Sequence, residues 1–184
     1  FQREMENKEN EEVIFDTIKK TFMDQNVVFF GGYALSLYSS YMTRKLKGKL
    51  EKFADFDILA RDAKKVAEIT KERLKENGIT NITIKKHEPV GEIIPVHFEL
   101  KIGKDTVAFL YEPVGCHNYN VISEGGGKIR IATIDTILSF YLAFMYIKRP
   151  YYDPNRILCM SEFLFKVQQY NRLSQKGILR RFSI

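Results

Sequence analysis

Asp55 and Asp57 stand one residue apart in "KFADFDILA", a stretch that is otherwise mostly apolar. Alternation along a β-strand would put both carboxylates on one face, about 6–7 Å apart, with Phe56 and Ile58 pointing the other way. Two unpaired anions so close repel, and a divalent cation held between them removes the repulsion. A hard ion such as Mg²⁺ takes carboxylate oxygens and keeps positions open for phosphate oxygens. Two such ions about 4 Å apart are suited to phosphoryl transfer: one activates an attacking hydroxyl and the other holds the leaving pyrophosphate. The alternative without chemistry is a solvent-facing D-x-D on an edge strand.

Upstream, "VVFFGGYALSLY" ends an apolar run on Gly31-Gly32 and continues as a helical pattern. A glycine pair between a strand and a helix bares backbone N–H groups at the positive end of the helix, where an anion binds. Ser36 and Ser39 follow one and two turns on and would add hydroxyls. A tight turn needing glycine for its dihedrals is the structural alternative. Taken together, the two segments describe a phosphate cradle, one helix and then a metal-binding strand.

The elements that must position these groups are legible from periodicity. "EEVIFDTIKKTFMDQN" spaces Ile14, Ile18 and Phe22 by four residues, with Phe15 beside them, and predicts an amphipathic helix. "NVVFF" predicts a short buried strand, and "YALSLYSSYM" a helix with Leu35, Tyr38 and Met42 on one face. The basic "TRKLKGKLEK" reads as an exposed loop. "DAKKVAEITKERLKENG" predicts a helix with Asp62 as N-cap and Gly78 past its end. "ITNITIKKH" reads as a strand, and "IPVHFELKI", "GKD" and "TVAFLY" as a hairpin. The order α, β, α, β, α, β, β, β predicts a mixed sheet with helices on one face. After "CHNYNVISEGGGK" two helical patterns follow, "TIDTILSFYLAFMYIKR" and "DPNRILCMSEFLFKVQQYN", the second with Asp153 as N-cap and Pro154 in its first turn. A boundary near Gly125 to Gly127 is therefore expected, dividing the chain into a sheet-based domain, 1–125, and a helical domain, 126–184, that is incomplete.

The 184 residues carry a formal charge of +6, and 45% are hydrophobic. That is enough to form a core and excludes a disordered tail. The basic surplus favours anionic partners such as nucleotides and nucleic acid. Two cysteines, Cys116 and Cys159, exclude a disulfide framework and fit a reducing compartment. Cys116 and His117 are adjacent, but zinc needs about four ligands at workable spacing. The longest apolar run, "ILSFYLAFMYI", is shorter than the roughly 20 residues a bilayer requires. Because the sequence starts at Phe1 and stops at "RRFSI", it is expected to be a portion of a longer chain.

The glycine turn followed by h-D-h-D-h resembles the nucleotidyltransferase superfamily, the polymerase-β-like fold. More narrowly, "GGYALSLY", "DFDIL", "IPVHFELKI", "FLYEP…CHNYN" and "RIATIDTILSFYLAFMY" together resemble the catalytic poly(A) polymerases of large DNA viruses, over about Val13 to Tyr170. The resemblance implies an α+β fold, catalysis by two Mg²⁺ or Mn²⁺ ions, ATP as substrate and an RNA 3′ end as acceptor. It also implies a homodimer or a processivity subunit, and a cytoplasmic or virion location. On it, Asp55 and Asp57 are the metal pair, while Gly31 and Gly32, with Ser36, face the triphosphate. A third carboxylate is expected on a later, adjacent strand. Glu99 in "HFELK" alternates correctly for the role, Glu112 in "FLYEP" is the other candidate, and a site with neither remains open. The functions in competition are a template-independent poly(A) polymerase, a non-catalytic RNA-binding or scaffold subunit of the same fold, and a nucleotidyltransferase acting on a small molecule or protein. Lys45, Lys47 and Lys49, or Lys148 and Arg149 with Tyr151 and Tyr152, would supply the RNA contacts.

Overall fold

The computed structural model describes residues 10–42, 55–173 and 176–180. The basic stretch with Lys45, Lys47 and Lys49 lies outside the described residues. The elements run α1 (Glu11–Asp24), β1 (Val28–Phe30), α2 (Gly32–Tyr38), β2 (Phe56–Leu59), α3 (Ala63–Glu76), β3 (Ile82–His87), β4 (His97–Ile102), β5 (Asp105–Tyr111), β6 (Tyr119–Glu124), β7 (Gly127–Ala132), α4 (Ile134–Ile147) and α5 (Pro154–Tyr170). Among the described residues, one mixed sheet contains all seven strands in the order β3-β4-β5-β2-β1-β7-β6. The fold is α+β.

Two of the seven strands are not apparent from the sequence patterns. The residues at which those patterns suggest a domain boundary, Gly125 to Gly127, lie at the turn of the β6–β7 hairpin. Gly125 and Gly126 both have positive φ (55° and 81°), as a tight two-residue connection requires. β7 then pairs in parallel with β1, so the sheet continues past the turn and the helical segment begins only at Ile134.

The three-residue β1 sits near the centre because it contributes to both layers of the core. Phe29 and Phe30 are fully buried on opposite faces, each worth about 1.5–3 kcal/mol. Phe29 packs with Phe22 of α1 and Phe56 of β2, on the face that also receives α1 and α3. Phe30 stacks on Phe140 of α4 at 4.7 Å. Thus α1 and α3 cover one face, and the α4–α5 hairpin covers part of the other. Asp62 caps α3 by accepting from Lys65 N–H at 3.0 Å, and Asp153 caps α5 through Asn155 N–H and Arg156 N–H. No helix among the described residues is long and apolar enough to cross a membrane.

Candidate active site

β1 and β2 run antiparallel, with Phe30 opposite Asp57. That register sets the Gly31-Gly32 turn, which leaves the end of β1, directly against the Asp57 side chain. Gly31 has φ 75° and ψ −153°, a conformation essentially reserved for glycine. The turn points the Gly32 N–H at the Asp57 carboxylate, which accepts it. Asp55, Asp57 and Gly32 line one cavity of about 500 Å³. Its other walls are Phe109 of β5, Tyr141 and Phe144 of α4, the Tyr151–Asp153 connector and the first turns of α5. The cavity therefore lies where the sheet meets the helical hairpin.

The two aspartates are not equivalent. Burial, and then the charge of Asp55, push the Asp57 carboxyl up to about 7; Arg156 and the Gly32 N–H oppose the rise. Asp55 is paired with a cation, since Arg156 Nη1 and Nη2 of α5 lie 3.3 Å and 3.4 Å from its Oδ2. The sequence patterns do not single out Arg156. Its signal was present nonetheless: an arginine in the first turn of a helix sits against the helix dipole and needs another reason to be there.

Gly31, Gly32, Asp55 and Asp57 are thus brought together, with Tyr151 and Tyr152 in the same cavity wall, whereas Ser36, Glu99 and Glu112 are not part of it. Ser36 donates to the Tyr33 carbonyl of its own helix at 2.6 Å and does not line the cavity. Glu99 lies on β4, and β5 intervenes between β4 and β2. The row across the sheet reads Asp57, Phe109, Glu99. Glu99 therefore shares the face of Asp57 but stands two strands away, roughly 9–10 Å between backbones. Its carboxylate is occupied by His87 Nε2 at 2.8 Å and by the Thr106 hydroxyl. Burial alone would raise its pKa, but those hydrogen bonds, with the charges of His87 and Lys101, hold it below the usual value. The strand adjacent to Asp57 presents Phe109 at the facing position, and Phe109 stacks on Tyr151. Glu112 follows the last residue of β5.

The aromatic residues after α4 pack inward. Tyr152 stacks on Phe144 at 4.3 Å and its hydroxyl meets that of Tyr111 at 2.6 Å. His97 Nδ1 lies 3.0 Å from the Pro95 carbonyl, so it carries the proton and donates, and Nε2 accepts from the Tyr151 hydroxyl at 3.2 Å. Asn120 donates to the carbonyls of Ile178 and Arg180, fastening residues 176–180 to β6.

A metal fits the Asp55–Asp57 pair in one respect and falls short in another. A half-buried carboxylate beside a second one already draws a cation, the Arg156 guanidinium, to its neighbour. No group of three His, Cys, Asp or Glu able to hold a metal occurs among the described residues. Two carboxylates suffice for Mg²⁺ where substrate phosphates and water complete the shell.

The sequence matches no protein-family model, and no curated protein matches it. Among solved structures, the chain is similar to the Megavirus polyadenylate synthase with a TM-score of 0.71 at 16% identity; the match covers 96% of this chain and 38% of the viral one. The chain thus spans well under half of that protein. It is also similar to the antibiotic-resistance factor ANT(2'')-Ia, with a TM-score of 0.51 at 14% identity, covering 90% of this chain and 91% of that one. At these identities the likeness is one of fold.

Proposed function

We propose that this chain is a nucleotidyltransferase domain of the poly(A) polymerase type, transferring AMP from ATP to an RNA 3′ end. The observation that carries the reading is the β1–β2 register, which sets a glycine turn against Asp57 in a cavity that Asp55 shares. Asp55 and Asp57 would hold the divalent metal, Mg²⁺ or Mn²⁺, which when bound polarises the phosphoryl group and favours loss of pyrophosphate. The chain's own residues do the rest. The Gly32 N–H orients the Asp57 carboxylate, the fixed Gly31 backbone lets that carboxylate approach the turn, and Tyr141 and Phe144 narrow the cavity and limit water. No protein nucleophile is required, because the acceptor hydroxyl attacks. The fold likeness to a viral polyadenylate synthase favours ATP and RNA over a small acceptor, and the net charge of +6 suits an RNA chain. On this reading the compartment is the host cytoplasm or the virion.

A second reading is a non-catalytic subunit of the same fold, and Phe109 favours it by placing an aromatic ring where a third carboxylate beside Asp57 would stand. Incorporation of labelled ATP into an oligo(A) primer, with Mg²⁺ or Mn²⁺, separates the two. Activity that disappears in Asp57→Asn supports the polymerase. No incorporation by wild type, with binding of oligo(A) retained, supports the subunit.

A further inference from the structure

We propose that Arg156 and a divalent cation are alternative partners of Asp55, so that metal binding displaces the first turn of α5 from the catalytic strand. The inference rests on the reading of Asp55 and Asp57 as a metal pair and adds a residue to it. Arg156 comes from a different layer of the fold, 101 residues along the chain from Asp55. It stands in the turn capped by Asp153, where a cation opposes the helix dipole. The contact with Asp55 offsets that cost. The contact is also a loose one. Both Nη atoms converge on Oδ2, at 3.3 Å and 3.4 Å, instead of forming two parallel bonds to two oxygens. Arg156 Nε is buried with no hydrogen-bond partner among the described residues, a penalty that a fully engaged guanidinium avoids. The pair is therefore short of the most stable geometry and open to exchange.

A divalent ion brings twice the charge to the same carboxylates. It and the guanidinium repel at the few ångströms that separate ligands of one aspartate. Occupancy of Asp55 by one weakens occupancy by the other. Once released, the guanidinium still lies in the cavity wall, with its donors available to an anion such as the triphosphate of a nucleotide.

The test titrates Mn²⁺ alone, following the free ion by electron paramagnetic resonance at low ionic strength. Arg156→Gln is expected to bind Mn²⁺ about tenfold more tightly than wild type, within the range of ordinary site–site coupling. Arg156→Lys, which keeps the charge, is expected to stay near wild type. Equal or weaker binding by Arg156→Gln overturns the proposal while leaving the metal pair intact. Absence of Mn²⁺ binding in wild type and Arg156→Gln alike overturns both. Hydrogen exchange on wild type gives a measure that does not depend on the folding of a variant. Mn²⁺ should speed exchange of the amides at the start of α5, and unchanged or slowed exchange there counts against displacement.

Discussion

The Asp57 carboxylate rests directly on the Gly31 backbone. A Cβ placed on Gly31 would stand 2.0 Å from Asp57 Oδ2 and 2.7 Å from its Cβ and Cγ. The glycine is thus needed twice over, for its dihedrals and for the space above its Cα. This explains why the turn follows β1 with no intervening residue: one more residue would slide the turn past Asp57.

Gly31→Ala should destabilise the fold by about 2 kcal/mol or more, from backbone strain and overpacking together. Gly103→Ala is the matched control. It also has positive φ, 59°, but no atom of the described residues lies within 4 Å of the added Cβ. Thermal melts followed by circular dichroism should show Gly31→Ala well below Gly103→Ala. Equal losses would mean that the Asp57 contact carries no weight.

Elements whose signal is local were legible in the sequence. The Ile14–Ile18–Phe22 stripe, the alternation around Asp57 and the caps Asp62 and Asp153 each rest on residues a few positions apart. The β6–β7 hairpin escaped because β6 is an edge strand in which only Asn120 is buried, so no apolar alternation marks it. The place of Glu99 escaped for a different reason. Alternation gives the face of a residue correctly but not the order of strands. The row Asp57–Phe109–Glu99 exists only once β5 has inserted between β2 and β4. Arg156 belongs to this class too, since its partner is fixed by packing between layers.

Glu99→Gln should leave Mn²⁺ affinity unchanged, whereas Asp55→Asn and Asp57→Asn should each abolish it. Glu99 instead supports the fold: its carboxylate joins His87 on β3 to Thr106 on β5. The glutamine should lower stability by about 1–3 kcal/mol, because one buried acceptor becomes a donor. A clear fall in Mn²⁺ affinity for Glu99→Gln would return it to the metal site.

Phe109→Asp should do the reverse, strengthening Mn²⁺ binding while weakening the fold. The new carboxylate would face the same side as Asp57 on the neighbouring strand. Loss of the ring that stacks on Tyr151 should cost about 3 kcal/mol. The melting temperature should therefore be low in chelator and recover more on adding Mn²⁺ than wild type does. No larger recovery would show that position 109 is not within reach of the metal.

Asp57 and His97 should give opposing pH dependences to the chelated, metal-free protein. The Asp57 carboxyl is raised from 3.8 to about 7, first by burial and then by Asp55. Between those values the native state keeps a proton that the unfolded chain releases, so its contribution to stability falls as pH rises. His97 is lowered from 6.5 to about 4, chiefly by burial. From pH 6.5 down to about 4 the unfolded chain takes a proton that the native state refuses, so its contribution falls as pH drops. Each slope is about 1 kcal/mol per pH unit, and over the shared window they cancel. Single variants should expose what the wild type hides. Relative to wild type, Asp57→Asn should become more stable as pH rises from 4 to 7, since the asparagine still accepts the Gly32 N–H and is never ionised. His97→Gln should move the opposite way, losing stability relative to wild type as pH rises towards 6.5. Urea midpoints measured at half-unit pH steps in chelator test both. Parallel profiles for the two variants would show that neither group is held away from its ordinary pKa by the fold.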